Sequence, residues 1–100
     1  MRLLRNSTSK VLDQRTAERN YPEVRIIVLD NNFNTFTFEH VANCLLMIIP
    51  AMSEKKSWQL TVKVDREGSA EVWRGPFEQA ELYHQQLERK GITMAPIEKI

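Results

Sequence analysis

Glycine, cysteine and long apolar runs are all scarce in this 100-residue chain, and each shortage narrows what it can be. Three scattered glycines cannot make a phosphate-cradling loop. A single cysteine, Cys44, leaves no internal disulfide and suits a reducing compartment. His40 and Cys44 stand at i, i+4, a spacing that can put two metal ligands on one helix face. No second pair accompanies them and His84 is remote, so a packed cysteine beside a surface histidine is the better account. No Ser or Cys nucleophile comes with a base and an orienting acid, so neither an enzyme nor a cofactor is expected. No run approaches the ~20 apolar residues of a membrane span. The opening "MRLLRNSTSK" has only Leu3 and Leu4 where a signal peptide needs an apolar core of about 7–15 residues. A soluble, cytoplasmic protein is expected.

What the chain does have is an ordinary apolar fraction, 42%, enough for one domain with one core. Its net charge of +1 is unevenly spread. Residues 1–20 carry five basic side chains against Asp13 and Glu18, whereas the remainder carries nine basic against eleven acidic. A mildly acidic body with a basic arm lacks the basic patch of a nucleic-acid binder. Residues 1–20 are expected to form a flexible N-terminal extension, with room for a short helix around Val11–Ala17, and residues 21–100 the folded domain.

Along that domain, Tyr21-Pro22 breaks the arm, and "EVRIIVLD" follows as a central strand with Val24, Ile26 and Val28 on one face. Phe38, Val41, Ala42, Leu45, Ile48 and Ile49 recur at helical spacing, with Thr37 as N-cap and Pro50 as a stop. The next segment is ambiguous. Trp58, Leu60, Val62 and Val64 alternate with polar residues, which by period favours a strand and a "DREGS" hairpin into "AEVWR". Ser53 and Gly68 at its two ends favour a helix instead. "GPFEQAELYHQQLERKG" reads plainly as a helix, with Pro76 at its first position, Gly91 at its exit and Phe77, Ala80, Tyr83, His84 and Leu87 inward. "ITMAPIEKI" suits a final edge strand.

One stretch resists a purely structural reading. In "VLDNNFNTFTFEHV" the strand ends in Asp30, Asn31 and Asn32, and Phe33, Phe36 and Phe38 follow at once. A packed core wants the aromatics without the amides; a plain turn wants the amides without the aromatics. Together they suggest a small pocket with a polar mouth and an apolar floor.

"VLDNNFNTFTFEHVANCLLMIIPAMSE", "EGSAEVWRGPFEQAELYHQQL" and "GITMAPIEK" resemble the ClpS family of Clp protease adaptors over about residues 21–100, most nearly its second cyanobacterial branch. The resemblance implies an α+β fold, β-α-α-β-α-β, with a three-stranded antiparallel sheet packed against three helices. It therefore implies a helix over Ser53–Arg66, against the period-2 pattern. It also implies a pocket for a substrate's free α-amino group and large hydrophobic first residue, the N-degron. The family's acidic-amide signature falls on Asp30, Asn31 and Asn32, and its next pair on Phe33 and Asn34. The apolar gate falls on Phe38, with Val41 on the pocket wall, Thr61 and Val64 from the second helix, and Met94 or Thr93 from the last strand. Glu78 and Glu81 match acidic positions at the surface that docks the Clp AAA+ ATPase, ClpC by implication.

Three positions depart from the family pattern. Asn31 stands where the central acid is usual, Asp65 stands in place of a histidine that helps hold the α-amino group, and Phe36-Thr37 lengthens the loop by two residues. An acid relocated from 31 to 65 would preserve amine capture. The implied function is a monomeric adaptor that hands N-degron proteins to a Clp ATPase, without nucleic acid or membrane. The alternative is a module that docks on the ATPase but carries other cargo, or regulates the protease, through a changed pocket.

Overall fold

Residues 23–31 and 36–100 are described by the structure, a computed structural model. The extension expected over residues 1–20 lies outside them, as do Asn32, Phe33 and Asn34. The order of elements is β1 (Val24–Leu29), α1 (Phe38–Ile48), α2 (Glu54–Glu67), β2 (Ser69–Gly75), α3 (Phe77–Arg89) and β3 (Glu98–Lys99). The strands form one antiparallel sheet in the order β2-β1-β3, which is the α+β arrangement expected.

Central placement follows from the apolar run of β1. Val24, Ile26 and Val28 are buried while Arg25, Ile27 and Leu29 are half-buried, so the pleat gives the core one face. On that face they join Val41, Cys44 and Leu45 of α1, Leu60 and Val64 of α2, and Ala80 and Leu87 of α3 in a single core. The opposite face carries Arg25 bonded to Glu98 at 2.8 Å and to Glu71 at 3.4 Å, and Glu71 also accepts from Arg74 at 2.7 Å. This network ties all three strands together. The hydrogen bonds from Arg74 hold the Glu71 carboxyl below its ordinary pKa, and those from Arg25 add to the effect.

Each helix has a local reason to start where it does. The Thr37 side chain accepts from the His40 N–H at 3.1 Å to cap α1, and Ser53 accepts from the Lys56 N–H at 3.0 Å to cap α2. Gly68 closes α2 in the left-handed conformation, φ 91°, with its N–H on the Val64 carbonyl at 2.9 Å.

Residues 58–64 are therefore helical, and the strand favoured by their alternation is corrected. Ser57, Leu60, Thr61 and Val64 are the buried residues of α2, spaced at three and four. Val62 and Trp58 flank that stripe at partial exposure, and their side chains create the false period of two. Two smaller corrections concern α3. Pro76 is extended, ψ 147°, so it occupies the N-cap and the helix begins at Phe77. Phe77 itself is 38% exposed rather than inward, whereas Ala80 and Leu87 are buried.

The final segment is strand-like in two places. Met94 bridges Val28, and Glu98–Lys99 pairs with Arg25 and Val24. Pro96 falls between these pairings, in the segment that forms an edge of the sheet among the described residues, where proline is tolerated. The His84 Nε2–H donates to the Ala95 carbonyl at 2.8 Å and fastens this segment to α3.

Candidate functional site

The carboxyl end of β1 is a meeting point. The Asp30 N–H donates to the Gly68 carbonyl at 3.1 Å, and the Leu29 N–H to the Thr93 carbonyl at 3.0 Å. Asp30 and Asn31, both exposed, thus stand between the exit of α2 and the segment carrying Met94. A Cβ on Gly68 would lie 3.9 Å from Asp30 Oδ2, so the carboxylate itself rests near that exit. Asp65, exposed in the last turn of α2, is one residue from Val64, whose carbonyl accepts from Gly68. The fold therefore brings Asp30, Asn31 and Met94 to one end of the sheet, with Asp65 in the last turn of the helix that ends there.

The pocket-wall residues expected on the first two helices are covered. Val41, Thr61 and Val64 are each 0% exposed. The Thr61 hydroxyl donates to the Ser57 carbonyl at 2.8 Å, which satisfies it inside its own helix. Met94 is half-buried against the same core. Phe38, the first residue of α1, is half-buried, and its ring meets Trp58 edge-on with centroids 5.8 Å apart. Trp58 is 44% exposed, so this pair stands at the surface.

Phe36 is placed quite differently. Its ring stacks on His40 at 4.2 Å and 22°, and a Cβ on Gly91 would fall 2.7 Å from its Cζ. Gly91 also has φ 88°, so both its conformation and the bare space above it call for glycine. The His40 Nε2–H donates to the Lys90 carbonyl at 3.3 Å, and Cys44 Sγ lies 3.6 Å from the same nitrogen. Phe36, His40 and Gly91 therefore pin the start of α1 to the turn after α3. Burial pushes the Cys44 thiol up in pKa, so at neutral pH it is a packed apolar group rather than a thiolate. Among the described residues no group of three or more His, Cys, Asp or Glu side chains is placed to hold a metal.

Glu78 and Glu81 are exposed on α3, away from this end. Gly75, two residues before α3 begins, pairs with Val24 at the other end of β1. A strand of that length spans about 20 Å, so the acidic start of α3 and the Asp30 rim occupy opposite ends of the sheet. Asn32 and Asn34 lie outside the described residues. Sequence reasoning missed Trp58 and the seat of Phe36. Trp58 precedes Thr61 by three and Asp65 by seven, which on a helix is one side; the strand reading concealed it.

Comparison with known proteins agrees with this architecture. The family profile described as "ATP-dependent Clp protease adaptor protein ClpS" matches residues 19–95. A relative from Synechocystis sp., named ATP-dependent Clp protease adapter protein ClpS, is 55% identical over 84% of this chain and 84% of its own. Adapters of the same name from Thermosynechococcus vestitus and Nostoc sp. are 53% and 54% identical, over 85% and 83% of this chain and 88% and 84% of their own. No helix among the described residues is long and apolar enough to cross a membrane. The relatives are named as adapters and not as enzymes, all three come from cyanobacteria, and the chain belongs to the ClpS family of Clp protease adaptors.

Proposed function

We propose that the chain is an N-degron adaptor: it captures a protein's free α-amino group and large hydrophobic first residue, then delivers that protein to a Clp AAA+ ATPase, ClpC, for degradation. The observation that carries this reading is the junction at Gly68, where the end of β1 meets the end of α2. Asp30 is held by its backbone on Gly68, and Asp65 occupies the last turn of the helix that Gly68 closes. An α-amino group has a pKa of ~7.7–8.0, so it arrives at neutral pH largely as a cation and favours such a site. Charge-assisted hydrogen bonds contribute about 1.5–3 kcal/mol each. Burial of a Leu or Phe side chain beside Phe38, Val41, Thr61, Val64 and Met94 adds about 1.5–3 kcal/mol. After the cost of association, an affinity on the order of micromolar follows. Asn31, Asn32 and Asn34 complete the polar mouth, with Asp65 supplying the charge that Asn31 lacks.

Glu78 and Glu81 are the proposed contacts to the ATPase. Their distance from the rim leaves cargo and partner on separate surfaces, and the basic residues 1–20 extend that partner contact. A cytoplasmic monomer is the form in which this works.

The test is fluorescence anisotropy with peptides beginning Leu, Phe, Tyr, Trp or Met, each beside its N-acetylated copy. Micromolar binding lost on acetylation, and weakening as pH rises through about 8, is the expected result. Asp30→Ala and Asp65→Ala each weaken binding by at least tenfold on this reading. If Asp65→Ala changes nothing while Asp30→Ala abolishes binding, the acid was not relocated. A second reading is favoured by the complete covering of Val41, Thr61 and Val64. On it the chain docks on the ATPase through Glu78 and Glu81 but carries other cargo or regulates the protease, and a folded protein binds none of these peptides.

A further inference from the structure

We propose that His84 is a positioning residue for the cargo site: from α3 it fixes the backbone beside Met94 and so holds that side chain at the rim. The proposal rests on the N-degron reading above, which sets Met94 against the first side chain of the cargo. The segment that carries Met94 adds little regular strand to the sheet. Met94 makes an isolated bridge to Val28, and the paired residues Glu98–Lys99 come after Pro96. Hydrogen bonds on either side of Met94 set its place. The Leu29 N–H reaches the Thr93 carbonyl at 3.0 Å, and the Ala95 N–H reaches the Ile27 carbonyl at 3.0 Å.

The Ala95 carbonyl is tied to α3. His84 Nε2–H donates to it at 2.8 Å from a side chain 15% exposed, so water competes little for the bond. Ala95 also precedes Pro96, whose ring confines it to extended backbone. With its N–H on β1, its carbonyl on α3 and its conformation narrowed, Ala95 is a fixed anchor, and Met94 is its immediate neighbour. The helix behind the imidazole is itself well seated. Ala80 and Leu87, one turn before and one turn after His84, are both 0% exposed. The other ring nitrogen, Nδ1, faces Glu88 Oε1 of the same helix at 3.6 Å, a contact compatible with Nε2 turned toward Ala95.

The experiment measures anisotropy of a labelled peptide beginning Leu, beside its N-acetylated copy, on the full chain and four variants. These are His84→Leu, His84→Gln, Met94→Ala and the double variant His84→Leu with Met94→Ala. Circular dichroism establishes that each is folded, and His84→Ala serves if His84→Leu is not. Loss of the donor in His84→Leu weakens binding of the free-amine peptide by about three- to tenfold, the worth of one such hydrogen bond. His84→Gln, whose amide can still donate to Ala95, stays within about twofold of the wild-type protein. In the Met94→Ala background His84→Leu costs less than about twofold, because the side chain it positions is gone. A role in stability alone leaves the affinity of the folded protein unmoved and shows no such coupling. Wild-type affinity in His84→Leu, an equal loss in His84→Gln, or an undiminished loss in the Met94→Ala background overturns the role of His84 and leaves the N-degron reading standing. If the folded wild-type protein binds no free-amine peptide, or binds acetylated copies equally well, both fall together.

Discussion

Phe36 and Phe38 are two residues apart on the chain and meet opposite surroundings. Phe36 is half-buried against the core, with His40 against one face and the bare Cα of Gly91 beneath its edge. Phe38 is half-buried too, but leans edge-on against Trp58, which is 44% exposed. The difference teaches that residue type does not assign the role. What lies across from each ring does, and for Phe36 the decisive neighbour is a residue with no side chain at all.

That contrast can be broken most forcefully at Gly91. Gly91→Ala adds a methyl in the left-handed region and drives it into the Phe36 ring, at a cost of about 3 kcal/mol in urea unfolding. In a Phe36→Ala background only the backbone strain remains, so the same substitution costs about 1–2 kcal/mol. Equal costs in the two backgrounds would mean that Phe36 is not seated there. Next come the phenylalanines themselves. Phe36→Ala lowers stability by about 2 kcal/mol, while Phe38→Ala lowers it by about 1 kcal/mol and has the larger effect on peptide affinity. The reverse order, with Phe38 the costlier to stability and silent in binding, would exchange their roles.

The smallest effect is expected far from both rings, on the opposite face of the sheet. The Glu71 carboxyl is held below its ordinary pKa by Arg74 and then Arg25. A depressed folded-state pKa stabilises the fold above the ordinary carboxylate range, and that contribution disappears as pH falls through the folded value. Glu71→Gln therefore lowers the melting midpoint by about 2 °C at pH 7, since solvent screening keeps such pairs weak. The gap to wild type closes on acidification below about pH 4. Peptide affinity at pH 7 is unmoved. A change in affinity would show that the charged face communicates with the rim.

Much of this was legible in the chain because its signals are local. The apolar run of β1, the caps Thr37 and Ser53, and the glycines after α2 and α3 each act within a few residues of where they stand. The most misleading pattern, at Trp58–Val64, arose because a broad buried stripe and an exposed aromatic on one helix imitate alternation. For the candidate site, Asp30 and Asn31 stand out in the sequence because a strand ends there in polar residues. The partnership of Phe36 with Gly91 left no trace, since nothing local tells a ring which distant glycine will lie beneath it.

The two tryptophans also divide the molecule spectroscopically. Trp73 packs edge-on against Tyr83 at 5.1 Å and folds its indole over Gly75, near the end of the sheet from which α3 departs. Trp58 is wetter and sits against Phe38 at the start of α1. Their emission is thus separable by environment. With Trp73 replaced by phenylalanine, the remaining indole becomes a native optical reporter of events at the Phe38 corner; with Trp58 replaced, the other reports the integrity of the helix–sheet junction. One molecule carries two built-in dyes, one beside Tyr83 and Gly75 and the other beside Phe38.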